Sequence, residues 1–344
     1  MPYELIPYIV VFVILSINTF FNKKSAKHIS AMFFLFLVLF YSFRRNIGSD
    51  WPAYEYYFNN VFSPHVVQRY KLETGYWLLN RITNPLLGSF GSLVSVVGIT
   101  NCFLFWKATN KYSRNTGIVV LLSLFYLFYP TLEAFRQSIP LFIFYYSIQF
   151  VKEDSKKFLL LNTFGLLFHR SGIIAFIAFF FIRFRKIRWI ILLVLVSFGL
   201  VEPYIANIIF RSFPVIAMKY HIYINSSIVP NSIFSLKTLE YMLFFVFYVS
   251  LARRGLRTDN ETVFMYLILL GLVLQLTLAQ RSNIVYRMTY YTDIGIIFGF
   301  DSVYRRIQRY EARCLFLLIT IAYVALRFYR IFPFDDPRFI YSIL

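Results

Sequence analysis

The sequence predicts an all-α, polytopic integral membrane protein with about twelve transmembrane helices, and two observations support that fold class. Hydrophobic residues make up 59% of the 344 residues and aromatic residues 21%, which is typical of membrane proteins and not of soluble domains. Six short basic segments interrupt the apolar stretches and hold 20 of the 35 Lys and Arg. Because Lys and Arg are retained in cytoplasmic loops, these segments are the predicted cytoplasmic loops. They are residues 22–28, 107–115, 151–157, 183–188, 253–261 and 305–313.

The apolar stretches between the basic segments define the predicted spans. A membrane-crossing helix needs about 20 mostly apolar residues, and flanking Lys, Arg, Tyr or Trp extend a shorter run. The first span begins without the basic region and cleavage site of a secretory signal, so we expect it to be retained. The chain 1–344 is predicted to be a single membrane domain with both termini outside. The spans are 4–21, 29–43, 86–106, 116–132, 136–151, 156–169, 171–184, 188–208, 238–252, 262–280, 288–304 and 314–329.

Two stretches decide this count. Residues 116–151 are too long for one helix and carry Pro130 and Arg136 in the middle, which predicts a hairpin. Residues 158–182 would fit one tilted helix or a pair of short arms. Basic segments flank both ends, so a single crossing would invert every later basic loop. A short or re-entrant hairpin with its apex at 169–172 preserves the charge pattern and places the apex in a polar cavity.

Composition and missing motifs exclude several function classes. The formal net charge of +19 lies mostly beside apolar spans, so anionic lipid headgroups are the expected counterpart and not nucleic acid. Cys102 and Cys314 both fall within apolar spans and predict neither a disulfide nor a zinc site. The chain has no P-loop, GxGxxG, HExxH or CxxC motif, so we expect no cofactor and no metal. Two outer loops, about 44–85 and 209–237, are long enough to form a site, and the first predicts a short amphipathic helix.

Arginines dominate the predicted outer face. An arginine at or below the membrane surface is costly unless it faces a wet cavity or binds an anion, and its planar guanidinium matches phosphate oxygens. Several arginines around one outer cavity would suit a membrane-anchored diphosphate, whereas snorkelling or pairing with nearby acids is the alternative for each one. The preferred diphosphate contacts are Arg45, Arg136 and Arg287, with Arg44, Arg170 and Arg281 behind them.

His169 and Asp50 are the candidate catalytic residues. His169 is the only histidine within an apolar run, and an imidazole beside an arginine suits the role of general base on a sugar hydroxyl. Asp50 is the orienting acid or the second candidate for the base. A structural hydrogen bond is the alternative for His169, and a turn or capping role is the alternative for Asp50. Tyr54 and Tyr290 are candidate sugar contacts, although an interfacial aromatic belt explains such residues equally well.

The run from Arg44 to Tyr54 (RRNIGSDWPAY) resembles the Arg…Gly-x-Asp…Tyr signature of the EpsG/Wzy-like polysaccharide polymerases. Four later segments are similar to motifs of that family and follow in the family's order. They are 73–76 (ETGY), 136–137 (RQ), 168–174 (FHRSGII) and 287–291 (RMTYY). There are departures, since Gly172 replaces an alanine, Arg170 falls on a variable position, and 138–140 (SIP) replaces a small, alanine-containing helix start.

The resemblance implies a glycosyltransferase of the bacterial cytoplasmic membrane that polymerises lipid-linked repeat units on the outer face. The growing glycan of an O-antigen, capsule or exopolysaccharide would move from polyprenyl diphosphate to the non-reducing end of a newly flipped unit. Fixed arginines would stabilise the leaving diphosphate without a metal, and one cavity would hold both substrates. The implied partners are polyprenyl-diphosphate-linked oligosaccharide, membrane lipids and a chain-length regulator.

Other functions stay open at this point. A transferase that adds one sugar from a polyprenyl-phosphate sugar would also use an acid in the first outer loop, and divalent-metal dependence would favour it. A flippase or other twelve-span transporter predicts repetition between two halves or matched discontinuous helices, and no such repeat is detected in the sequence. An inert assembly subunit would explain the spans but not the arginines at two hairpin apices.

Overall fold

The computed structural model describes residues 6–20, 27–48, 50–70, 72–113, 115–197, 235–255, 258–277 and 287–331. The regular elements in these ranges are helical, which confirms the all-α prediction. The helices are α1 (Ile6–Asn18), α2 (Lys27–Ser42), α3 (Trp51–Asn59), α4 (Pro64–Tyr70), α5 (Thr74–Leu87), α6 (Phe90–Tyr112), α7 (Thr116–Ser123), α8 (Tyr129–Glu133), α9 (Phe135–Ser147), α10 (Phe150–Glu153), α11 (Ser155–Leu166), α12 (Ile173–Arg183), α13 (185–197), α14 (Leu236–Arg253), α15 (Asp259–Thr277), α16 (Ile294–Arg306) and α17 (Tyr310–Ile331).

Four of the described helices are long and apolar enough to cross a membrane. By length and composition they are Phe90–Tyr112, Thr116–Glu133, Asp259–Thr277 and Tyr310–Tyr329. The chain is therefore a multi-pass membrane protein. Several other predicted spans coincide with shorter helices, and α1 has only 13 residues. The count of twelve spans stays a prediction.

The predicted break inside 116–151 falls at Ala134. A single π-helical turn, Leu124–Phe128, joins α7 to α8 within one continuous helix, and Pro130 is the second residue of α8. Ala134 then leaves the helical conformation (φ −90°, ψ 57°), and α9 begins at the next residue. The break places Arg136 in the first turn of a new helix.

The described residues form two compact units, and the first contains the chain up to Ile173 together with the part from Phe300 onward. Helix α6 packs against α2 and α9, and small residues allow these backbones to approach closely. A Cβ on Gly98 would lie 2.8 Å from the Ser42 Cα atom, so a larger residue would force the helices apart. The buried Asn101 amide also donates to the Ser138 hydroxyl at 2.9 Å, which joins α6 to α9.

Contacts within the first unit bring together, at one end of this unit, described residues that lie in or beside four of the six predicted cytoplasmic loops. Helix α7 begins there and α10 ends there, so the segment 116–151 returns to the end from which it started, as expected for a hairpin. The opposite end holds α3 to α5, the start of α9 and the turn after α11. Which side of the membrane each end faces stays a prediction. The joining contacts are Asn115 N–H and Ser113 Oγ to the buried Asp301 Oδ1 (2.8 and 3.3 Å), the Asn115 amide to the Thr19 carbonyl (2.9 Å), and Lys111 to Glu153 (3.8 Å).

The first predicted outer loop contains three helices, α3 to α5, where the sequence predicted a single short one. Aromatic residues of α3 and α5 are buried against the N-terminal ends of α6 and α9. Trp51 meets Phe90 of α6 edge-on at 4.9 Å, and Phe90 meets Phe135 of α9 at 5.5 Å. The loop folds because its aromatic side chains gain these partners, which the local sequence pattern does not reveal.

The second unit comprises residues from Ile174 to Gly299. Helices α14 and α15 run antiparallel, since Gln275 donates to Ser235 at 3.4 Å and Gly271 packs against the Tyr241 ring. Most of the second predicted outer loop, 209–237, lies outside the described residues. The prediction of one membrane domain for the whole chain stays a prediction.

Candidate functional site

Arg136 lies at the centre of a polar network in the first unit. Its Nη1 donates to Glu73 Oε2 at 3.0 Å, and its Nε donates to the Tyr54 hydroxyl at 3.3 Å. The guanidinium also lies over the rings of Tyr54 and Tyr76, with its Cζ 5.4 and 5.7 Å from their centroids. Arg136 and Glu73 are only 21% and 15% exposed, so this ion pair is shielded from solvent. The arginine predicted to bind diphosphate is therefore held in one orientation.

Glu73 extends the network to the apex predicted at 169–172. Its Oε1 accepts from the backbone N–H of Arg170 at 3.3 Å and lies 3.9 Å from the Nε of the same residue. The Arg170 side chain is 81% exposed. The carboxylate thus brings together two of the predicted arginines, one fixed and partly buried and the other open to the surroundings.

The backbone around Glu73 holds it against the apex. Glu73 precedes α5 in an extended conformation and does not cap that helix with its side chain. Two residues later, Gly75 N–H donates to the Leu167 carbonyl at 2.8 Å. A Cβ on Gly75 would lie 2.8 Å from that same oxygen, so the close approach requires glycine.

Asp50 joins the network through Tyr54. The Tyr54 hydroxyl accepts from Arg136 and donates to Asp50 Oδ2 at 3.5 Å, which is a long hydrogen bond. The backbone at Gly48 (φ +99°) carries the chain against the Leu132 carbonyl, where a Cβ would come within 2.8 Å. This contact holds the Asp50 segment next to the break at which α9 begins.

Two buried tyrosines line the same network. Burial raises the pKa of the Tyr76 phenol above its ordinary value, an effect that the nearby Arg136 opposes. Burial raises the pKa of Tyr57 in the same way. Both phenols therefore stay neutral at physiological pH.

His169 has a defined hydrogen-bonding role. Its backbone is extended (φ −160°, ψ 135°), and its Nδ1 accepts the Ser171 N–H at 3.1 Å, which caps the short 3₁₀ turn Arg170–Gly172. The Ser171 hydroxyl also lies 2.8 Å from Nδ1. Because Nδ1 is an acceptor here, the neutral ring carries its proton on Nε2. This tautomer presents a donor and not the lone pair that a base requires.

The comparison with protein families decides the identity of the chain. The family model described as the EpsG family matches residues 27–342. The chain belongs to the EpsG family. This is the Wzy-like polysaccharide polymerase family, which confirms the resemblance found in the sequence motifs. No curated protein and no solved structure matches the chain.

The EpsG-family motifs of the first unit meet in the network just described. The segments around Asp50, Glu73, Arg136 and His169 come from four separate parts of the chain and are joined by the hydrogen bonds given above. Glu73 was not among the site residues predicted from the sequence, although it begins the ETGY motif. The sequence did contain a signal for Glu73, because it is an acidic residue located between arginines that are predicted to lie on the outer face.

Arg44 and Arg45 occupy different environments. Arg44 is 1% exposed, donates to the Tyr41 carbonyl and lies 4.3 Å from the centroid of the Tyr41 ring. Such burial favours a packing role for Arg44 over the predicted diphosphate contact, which stays a prediction. Arg45 is half-buried, donates to the Arg44 carbonyl at 3.0 Å and to Ser95 at 3.4 Å, and packs over Gly91. No described contact joins either arginine to Arg136.

The late EpsG-family motif lies in the second unit. Arg287 is half-buried and lies two residues before the start of the 3₁₀ turn Thr289–Tyr291. Tyr290 is buried, with its ring centroid 5.2 Å from Lys237 Nζ, which favours packing over the predicted sugar contact. Lys237 in turn donates to Asp293 at 2.8 Å. Arg281 lies outside the described residues.

Proposed function

We propose that this EpsG-family protein joins polyprenyl-diphosphate-linked oligosaccharide repeat units on the outer face of the bacterial cytoplasmic membrane. The observation that carries the proposal is the orientation of Arg136. Glu73 and Tyr54 engage its Nη1 and Nε, and its Nη2 makes no hydrogen bond to any described residue. A fixed guanidinium with an open edge suits a phosphate oxygen that gains charge in the transition state.

The proposed reaction is a displacement at the anomeric carbon of the growing glycan. The acceptor hydroxyl oxygen forms the new glycosidic bond, the bond from that carbon to the diphosphate oxygen breaks, and the diphosphate leaves with the electron pair. Arg136 and the exposed Arg170 stabilise this leaving group, and Arg45 is a further candidate contact. The diphosphate role of Arg287, which belongs to the second unit, stays a prediction. A base takes the proton of the acceptor hydroxyl, and the mechanism needs no metal.

Asp50 is the better-supported base. Its carboxylate is half-buried and linked to Arg136 through Tyr54, whereas the Nδ1 lone pair of His169 is used by Ser171. For His169 to act as a base through Nε2, it would have to change tautomer and give up the cap of its own turn.

Asparagine substitutions separate the two candidates. Asn at position 169 retains an oxygen that accepts the Ser171 N–H, so we expect His169→Asn to lower polymer synthesis less than about tenfold. Asp50→Asn keeps an acceptor for Tyr54 but loses the base, so we expect a loss of about 100-fold or more. Polymer is measured in cells with equal amounts of inserted protein. An inactive His169→Asn beside an active Asp50→Asn would move the base to His169.

Mass spectrometry of polyprenyl-linked glycans in cells lacking the protein tests the proposed function. We expect one complete repeat unit to accumulate on the outer face, because polymerisation is the missing step. An incomplete unit would instead identify a transferase that adds a single sugar. Complete units confined to the cytoplasmic side would identify a transporter. Restoring the gene is the control and should restore long polymer.

A further inference from the structure

Three separate segments of the chain meet at the Glu73 carboxylate. Its Oε2 binds the Arg136 side chain at 3.0 Å, its Oε1 accepts the Arg170 N–H at 3.3 Å, and its own segment is bonded to Leu167 through Gly75. We propose that Glu73 is a positioning residue that orients Arg136 and the 167–172 turn as one phosphate-binding unit. This inference rests on the proposed function, because it assigns a role within the same site.

The donors of Arg136 show what this positioning achieves. A guanidinium has five N–H donors in a rigid plane. Glu73 holds the group at Nη1 and Tyr54 holds it at Nε, and two fixed points in a plane set the direction of the third nitrogen. Nη2 therefore keeps a defined direction before any ligand binds, and this fixed orientation is what the reacting phosphate oxygen requires in the transition state.

The charge of Glu73 has a second consequence. Its carboxylate lies between two guanidinium groups and offsets part of the repulsion between them. The same negative charge also repels an incoming phosphate. Removal of this charge should therefore improve the binding of a small, freely rotating anion, while the geometry required for catalysis is lost.

Kinetics and anion binding of Glu73→Gln test the proposal on the purified full-length protein in lipid nanodiscs. We expect kcat to fall about 30-fold or more with KM unchanged or lower, because orientation is lost while binding is kept. We also expect inorganic pyrophosphate to bind about threefold or more tightly, because a repelling charge is removed. Wild-type kcat, raised KM alone, or weaker pyrophosphate binding would each overturn the proposal. The matched control is Glu55→Gln on α3, a half-buried carboxylate of the same outer segment with no described arginine contact.

Hydrogen–deuterium exchange provides a readout that needs no catalysis. We expect Glu73→Ala to speed exchange of the 167–172 amides about tenfold or more, since the Arg170 N–H loses its acceptor. Unchanged exchange there would refute the positioning role. Failure of the wild-type protein to polymerise lipid-linked units would refute the proposed function, whereas pyrophosphate binding and exchange would still decide the role of Glu73.

Discussion

Replacement of Arg136 by alanine is expected to lower polymer synthesis about 100-fold or more, the cost typical of removing one preorganised donor from a developing oxyanion. Cells carrying this variant should accumulate single repeat units on the lipid carrier. The alanine variant also leaves the partly buried Glu73 carboxylate without its 3.0 Å partner. Polymer length and lipid-linked glycans, measured at equal levels of inserted protein, test this result.

Arg136→Lys is expected to lose nearly as much activity. A lysine offers one point charge and cannot bind Glu73 and Tyr54 and also present a planar edge to a phosphate. The control is Arg81→Ala on α5, because the described contacts of Arg81 are the rings of Trp77 and Phe62 at 5.0 and 5.6 Å. We expect that variant to polymerise normally. If Arg136→Lys and Arg81→Ala gave equal amounts of polymer, the diphosphate role of Arg136 would be wrong.

Separation of the Lys237–Asp293 pair is expected to have the largest effect on stability. The two side chains are 7% and 1% exposed and lie 2.8 Å apart, and the Tyr241 hydroxyl also donates to Asp293 at 2.6 Å. Asp293→Ala removes the carboxylate that lies 2.8 Å from a buried ammonium, and breaking such a buried pair costs about 3–5 kcal/mol. The combined Lys237→Met and Asp293→Leu change should cost clearly less than the two single changes added together. Unfolding of the detergent-solubilised protein measures these differences.

The Lys111–Glu153 pair is the matched control for this prediction. Its side chains are 44% and 66% exposed and 3.8 Å apart, so Glu153→Gln should cost less than about 1 kcal/mol. Equal losses at the two pairs would show that burial does not set the strength of the Lys237–Asp293 interaction.

The structure brings some of the predicted site residues together and leaves others apart. Arg136, Arg170, Asp50 and Tyr54 were each predicted from outer position and residue type. The structure joins Arg136 to Arg170 through Glu73, and to Asp50 through Tyr54. Arg44 had the same sequence character but is buried against Tyr41. Sequence position alone cannot separate these cases, because the distinction depends on which neighbouring helix covers each arginine.

His169 shows that sequence position also does not determine the role of a single side chain. Its place in an apolar run beside an arginine favoured a general base, and the position of the break was predicted within a few residues. The use of its Nδ1 by Ser171 depends on the backbone angles of the turn. Those angles follow from how α11 ends and from what packs against it, and hydropathy does not encode either.

The sequence by itself determined the helical membrane class, the basic loops, the breaks at the two predicted apices and the EpsG family. These properties depend on hydrophobicity, charge and short motifs, which are read from neighbouring residues. Tertiary structure alone decided that Glu73, 63 positions before Arg136, would be the partner of that arginine. A buried charge must find its counter-ion in space, and the packing of α5, α9 and the turn after α11 determines which one lies within reach.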